Sequence, residues 1–266
     1  MDWSPVLDIS KNIFYVLLGI FLPILWIKFH HYKHLNLIKL VFPVHSDGAS
    51  IPKIHLRVSL DEIIFGEYPG TLRGYTHSGD LLGAMNIIKY FHDLPVDVEF
   101  GYFSEIGMKM QNVVLLGASS RSDVSREVAS VLYKNNIRVR GSKEHAYFMD
   151  PSGRTYKCCH TVLDKRVIVT HDAGVIFRKI FENGSTVLML GGIHTFGTQA
   201  AAEVAMSDEF QLKVKQRNLT EFVQFVAVDV VKSGRRAGLD IIRQNIRWRE
   251  LPLIDASKFS PGESDA

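Results

Sequence analysis

The stretch Thr186-Val187-Leu188-Met189-Leu190-Gly191-Gly192-Ile193-His194-Thr195-Phe196-Gly197-Thr198 decides the fold of this chain. Its first five residues form an apolar run of the kind that fills a strand buried on both faces. The glycines then turn the backbone, and Gln199-Ala200-Ala201-Ala202-Glu203-Val204-Ala205 continues as an Ala-rich helix. Thr195 and Thr198 are candidate caps, and Gly197 would let the backbone approach a ligand closely. Free N–H groups at such a helix start attract anions, so the loop has the character of a phosphate cradle. It lacks the Gly-Lys-Ser/Thr ending of a Walker A loop and the full G-x-G-x-x-G of a dinucleotide fingerprint.

The same strand–loop–helix pattern recurs upstream. Asn112 to Leu116 is apolar, and Gly117-Ala118-Ser119-Ser120-Arg121-Ser122 leads into a helix expected over Asp123 to Tyr133. Gly74 to Asp80 precedes a helical pattern over Leu81 to His92, with Ser78 or Asp80 as its cap. Strands are expected at 54–58, 96–100, 137–139, 167–170, 174–177, 221–231 and 245–248. A hairpin is expected from Ala146–Met149 through the turn Asp150-Pro151-Ser152-Gly153 to Arg154–Cys159. Alternation of strands and helices predicts a Rossmann-like, mostly parallel α/β sheet with a β-hairpin insertion and an antiparallel edge. Ligands of such sheets sit at the C-terminal strand ends, so loops 74–80, 117–122 and 191–198 are the candidate walls of one pocket.

Ile13 to Ile27 carries no charge and approaches the ~20 residues that span a bilayer. Lys11 and Lys28 can snorkel, and Tyr15 and Trp26 suit the interfaces. The basic flank follows the segment, placing the remainder in the cytoplasm. The expected organisation is a transmembrane anchor at 1–29, a juxtamembrane connector at 30–70, a ligand-binding domain at 71–254 and a disordered tail at 255–266. Within the connector, His34 to Phe42 reads as a strand or an interfacial segment.

Composition narrows the function. A net charge of +3 spread over 59 charged residues lacks the concentrated basic face of a duplex nucleic-acid binder. Cys158 and Cys159 are adjacent, which suits free thiols in a reducing compartment and does not suit zinc. No metal or cofactor is expected. The candidate ligand contacts are Thr76, Ser78, Gly117, Ser119, Ser120, Arg121, His194, Thr195, Gly197 and Thr198. The carboxylates Asp80, Glu127, Asp172 and Glu203 could act chemically; Glu203, one turn into its helix, could reach a ribose or equally be an exposed helix residue, and His194 could serve as acid or base or be an exposed loop histidine without a role. No Ser-His-Asp, HExxH or paired-carboxylate signature is present.

Residues 71 to 248 resemble a bacterial domain of membrane-anchored and regulatory proteins. The likeness is carried by Tyr75–Asp80, Asn112–Ala118, Asp172–Ile176 and Gly191–Glu203; Arg121-Ser122-Asp123 departs from it where an Asn usually stands. Thr195-Phe196-Gly197-Thr198 is also similar, more loosely, to the Thr-Gly-Gly-Thr-like loop of CRISPR-associated Rossmann-fold sensors of cyclic oligoadenylates, with Gln199 in place of a basic residue. The resemblance supports the architecture; the phosphate-type loop set downstream of a single span leads to the expectation of a homo-oligomeric sensor or effector on a bacterial inner membrane, binding a nucleotide-type ligand in signalling or antiviral defence. The alternative is a hydrolase or transferase acting on glycosidic bonds of nucleotides or NAD, TIR-like or deoxyribosyltransferase-like, with Glu203 or Glu127 as its carboxylate.

Overall fold

The computed structural model describes residues 22, 32–44, 51–58, 61–64, 72–75, 78–102, 112–117, 123–140, 147–163, 166–231 and 245–259. Helices are α1 (32–41), α2 (Ser78–His92), α3 (Asp123–Lys134), α4 (Thr195–Met206) and α5 (Asp208–Gln216). Strands are β1 (Lys53–Val58), β2 (Asp61–Ile64), β3 (Leu72–Tyr75), β4 (Asp97–Tyr102), β5 (Val113–Leu116), β6 (Arg138–Arg140), β7 (Tyr147–Met149), β8 (Thr155–Lys157), β9 (Cys159–Leu163), β10 (Arg166–Ile180), β11 (Thr186–Gly192), β12 (Phe222–Val231) and β13 (Asn245–Asp255).

A mixed α/β architecture results. The main sheet has the order β13-β12-β10-β11-β5-β1-β4, with β9 paired to β10. Strands β11, β5, β1 and β4 run parallel, as expected of a βα alternation. The antiparallel part is broader than an edge, because β10 pairs antiparallel with β9, β11 and β12, and β12 with β13. The segments expected as separate strands at 167–170 and 174–177 are one 15-residue strand, β10. It bends through a bulge between Val169 and His171 instead of breaking.

Both faces of the sheet are covered. On one, Ile54, Leu56 and Val58 of β1, Val114 and Leu116 of β5, and Leu188 and Leu190 of β11 pack against α1, α2, α4 and α5. On the other, Val113, Leu115, Val187 and Met189 meet Val128, Val131 and Leu132 of α3, with Phe148 and Tyr156 from the small sheet β6-β7-β8. That small sheet is the expected hairpin, extended by one strand; Asp150 holds its turn by accepting from Ser152 N, Arg154 N and the Tyr156 hydroxyl.

Two expected boundaries are corrected. Residues 30–70 are not merely a connector: β1 lies between β5 and β4 inside the parallel block, and Ile38, Val41 and Phe42 of the α1 region are fully buried. The reading of His34–Phe42 as strand or interfacial segment fails for the same reason. Leu37, Ile38 and Val41 repeat at helical spacing and face a core already apolar. At the other end, β13 runs to Asp255 and Ala256 is buried, so these residues belong to the folded domain and not to a tail. Among the described residues no helix is long and apolar enough to cross a membrane. The segment Ile13–Ile27 lies outside them apart from Leu22, which is helical and exposed.

These packing facts set the limits of a folding unit. A fragment spanning 71–254 lacks β1 and α1 and is expected to show no cooperative thermal transition. A fragment spanning 32–259 is expected to unfold cooperatively; circular dichroism melts of the two distinguish the cases.

Candidate functional site

The N-terminal turn of α4 lies directly on the backbones of β10 and β11. A Cβ on Gly197 would overlap the Ala173 carbonyl oxygen, one on Gly174 would overlap the Gly197 carbonyl, and one on Gly192 would overlap Thr198 N. Gly197 therefore brings helix and strand together, and the close approach inferred for a ligand is made by the protein's own chain. Ala200, Ala201, Ala202 and Ala205 extend this contact with no exposed surface. Small side chains let α4 fit between the sheet and α2.

The charge at this helix start is also internal. Asp172 of β10 is buried, and its carboxylate accepts from Ala173 N (2.8 Å), His194 N (3.1 Å) and Gly197 N (2.6 Å), with Phe196 N as a fourth donor. The capping expected of Thr195 and Thr198 is corrected here. The cap position is His194, whose side chain makes no capping bond, and Asp172 performs that task from the neighbouring strand. Thr195 opens the helix and Thr198 is buried inside its first turn. The amides read as an anion cradle thus already hold an anion.

Burial pushes the Asp172 carboxyl up to about 6, against the opposing pull of its backbone donors. It also raises the neighbouring Cys158 thiol to about 12, for which burial is the first cause and the Asp172 charge the second. Cys158 is accordingly held as a thiol, while Cys159 is exposed.

The remaining loops converge on the same edge of the sheet. Parallel register aligns Val58 of β1, Leu116 of β5, Leu190 of β11 and Tyr102 of β4, so their C-terminal ends share one edge. Gly117 follows β5 with φ 84, a left-handed turn that suits glycine, and its N–H donates to Leu190 O at 2.9 Å. The N-terminal halves of α2 and α4 meet there: a Cβ on Gly83, in the second turn of α2, would overlap Leu116 Cδ2 and come within 3.8 Å of Thr198 O. Ser78 and Asp80 lie within the first turn of α2, one turn earlier than expected, and Asp80 is buried. The starts of α2 and α4 and the end of β5 are therefore neighbours. Thr76, Ser119, Ser120 and Arg121 lie outside the described residues, as does the side chain of Ser78.

The two proposed catalytic glutamates are placed elsewhere. Glu127 is exposed on α3. Glu203 accepts from Gln199 Nε2 at 3.0 Å and faces a groove of about 550 Å³ shared with His34, Lys89, Tyr90, Asp93 and Met206. That groove is bounded by the far ends of α2 and α4, and Glu203 lies two turns into α4. Among the described residues no group of His, Cys, Asp and Glu could hold a metal ion.

One cluster escaped the sequence reading. Arg57 of β1 and Glu99 of β4 pair at 2.6 Å (Nη2 to Oε1), and His55 Nδ1 stands 3.3 Å from the second Glu99 oxygen. The Arg57 guanidinium holds the Glu99 carboxyl below its usual range. A signal was available: His55 and Arg57 alternate with Ile54, Leu56 and Val58, which puts charge on one face of a strand that belongs to the parallel block. No protein-family model matches the chain, and neither a curated protein nor a solved structure does.

Removing the Asp172 carboxylate strands buried N–H groups, so Asp172→Ala is expected to cost about 2 kcal/mol, within the range for lost caps and buried unsatisfied donors. Because the folded carboxyl binds its proton more tightly than the unfolded one, its contribution to stability falls as pH rises from about 4 to about 6. It is constant above that window. Urea melts across this range are expected to show the decline in the wild type and a weaker one in Asp172→Asn. The glycine contacts make a companion prediction: Gly174→Ala is expected to cost about 2 kcal/mol or more through overpacking, against a near-neutral Gly191→Ala. A Cβ at 191 meets only ordinary contacts at 3.6 and 3.8 Å.

Proposed function

We propose that this chain is a membrane-anchored sensor that binds a nucleotide-type ligand at the C-terminal strand ends. The observation that carries the reading is the divergence at β1 and β5. These strands are adjacent and parallel, yet the helix after β1 packs on one face of the sheet and the helix after β5 on the other. Connections that leave neighbouring parallel strands in opposite directions open a crevice between them, which is where doubly wound sheets take their ligands. Gly117 and the first turns of α2 and α4 border it.

A path from this crevice toward the N-terminal segment supports the sensing role. Helix α2 begins at the crevice and ends at Tyr90 and Phe91. Phe91 packs edge-on to Phe42, with ring centroids 5.2 Å apart, and the Tyr90 hydroxyl meets His34 Nε2 at 3.3 Å. His34 and Phe42 belong to the α1 region, which follows the apolar Ile13–Ile27 in sequence. A ligand that shifts α2 would be felt at the root of the anchor, and through it by a second copy in a homo-oligomer.

The test uses the full chain in detergent micelles, titrated calorimetrically with mononucleotides, cyclic dinucleotides and cyclic oligonucleotides. At least one is expected to bind and raise the melting temperature. Gly117→Ala forces an L-residue into a left-handed turn at a cost of roughly 1 kcal/mol, and is expected to weaken that binding several-fold with the fold retained. Silence from every member, with cooperative unfolding intact, overturns the reading.

A further inference from the structure

We propose that this chain pairs with a second copy of itself along the open edge of β4, with the outer flank of α2 beside the joint. The pairing supplies the second copy that the sensing role above calls for, but none of its observations involve the ligand. Strand β4 ends the main sheet, and among the described strands only β1 pairs with it. Asp97 N donates to Pro52 O on the β1 side at 2.8 Å. Alternation along the strand then turns the N–H and C=O of Val98, Phe100 and Tyr102 toward the open edge.

Apolar surface is concentrated beside this edge. Leu81, Met85 and Ile88 are 45%, 57% and 39% exposed and recur at i, i+4 and i+7 along α2. By helical spacing this stripe lies on the flank opposite Gly83, and Gly83 faces Ala202 of α4. The stripe therefore looks away from α4, over the β4 side of the sheet. Phe100, 40% exposed, stands on that same face, being in register with Leu56 of β1 in the core that α2 covers. A lone exposed leucine needs no explanation. A helix stripe and an aromatic ring lined up beside outward backbone groups form a docking surface. Edge strands that stay single are guarded by charge. Here the charged residues of β4, Asp97 and Glu99, project from the other face, and Glu99 is drawn back to Arg57 and His55 at 2.6 and 3.3 Å.

The edge is complementary to itself. In an antiparallel pairing about a two-fold axis at Phe100, each Phe100 lies opposite its own copy and Val98 falls opposite the partner's Tyr102. Every outward N–H and C=O of these three residues is then paired. Glu99 falls opposite the partner's Gly101, so its carboxylate meets no like charge. A register centred on Glu99 would set two glutamates face to face, which is unfavourable. A two-fold joint uses one patch twice, and this match of the edge to itself selects a second copy over an unrelated strand. The α2 stripes of the two copies flank the joined strands and shield Phe100 from water.

The experiment uses the full chain in detergent micelles, carrying Cys159→Ser to remove the exposed thiol. Phe100→Cys is expected to give a disulfide-linked dimer on mild oxidation. Residues opposed in a hydrogen-bonded antiparallel pair stand about 5.5 Å apart between Cα atoms, within disulfide reach. Ile180→Cys, exposed on β10 away from this edge, is the control and is expected to crosslink at least tenfold less. Light scattering is expected to report a dimer mass for the protein component. Met85→Glu charges a site that the monomer leaves in water, so it is expected to retain cooperative unfolding, weaken the dimer at least tenfold and abolish the Phe100→Cys crosslink. A dimer held by Ile13–Ile27 instead keeps its mass in Met85→Glu and shows no preference for the Phe100→Cys site, and that result overturns the proposal. A monomer mass overturns it as well, whatever the nucleotide titrations show.

Discussion

The architecture depends on the seating of α4 against β10 and β11, where a helix start rests on strand backbone with no side chain between. Two conditions make this possible. Glycines at 174, 192 and 197 remove the atoms that would collide, and Asp172 accepts the N–H groups that burial would otherwise strand. Each condition needs the other. Without the glycines the helix would stand off the sheet and the carboxylate could not reach its amides. Without the carboxylate the close approach would desolvate donors that water can no longer serve.

This seating fixes much else. With α4 pressed to the sheet, its alanines offer α2 a shallow surface, and α2 packs along it closely enough for Gly83 to lie near Leu116 and Ala202. The start of α2 is thereby brought to the end of β5, although β2 and β3, which precede it, belong to a separate two-stranded sheet. Helix α1 then fills the space beyond α2 through Ile38, Val41 and Phe42. The strand-end edge is built from the α4 contact outward.

Much of this was legible in the sequence because it is locally encoded. The runs at 113–116 and 186–190, the helix after each, and the turn at Asp150–Gly153 follow from hydrophobic period and turn chemistry. The roles of Asp172 and Gly197 were not legible, since each depends on a partner about 25 positions away. A Gly-Thr loop before an Ala-rich helix has the same local pattern whether its amides await a ligand or hold a carboxylate from another strand. Helix α1 was misread for a related reason: a short apolar pattern after an uncharged segment looks interfacial until the core that buries it is known. The single strand β10 was split because Thr170–Ala173 is polar or small, and the sequence does not show that a bulge carries the strand through.

The occupied cap also constrains the chemistry of the crevice. Since Asp172 takes the α4 amides, a negative group arriving at the strand ends meets a helix start that is already compensated. Attraction must then come from other groups on this edge, the start of α2 among them. Asp80 lies in the first turn of α2, where a carboxylate offsets the positive end of the helix. Arg57, by contrast, is turned toward Glu99 of β4 and shares that carboxylate with His55, so its charge is paired within the protein. The fold thus fills its most conspicuous anion cradle with its own carboxylate and pairs the buried guanidinium of β1 with a glutamate of the neighbouring strand β4.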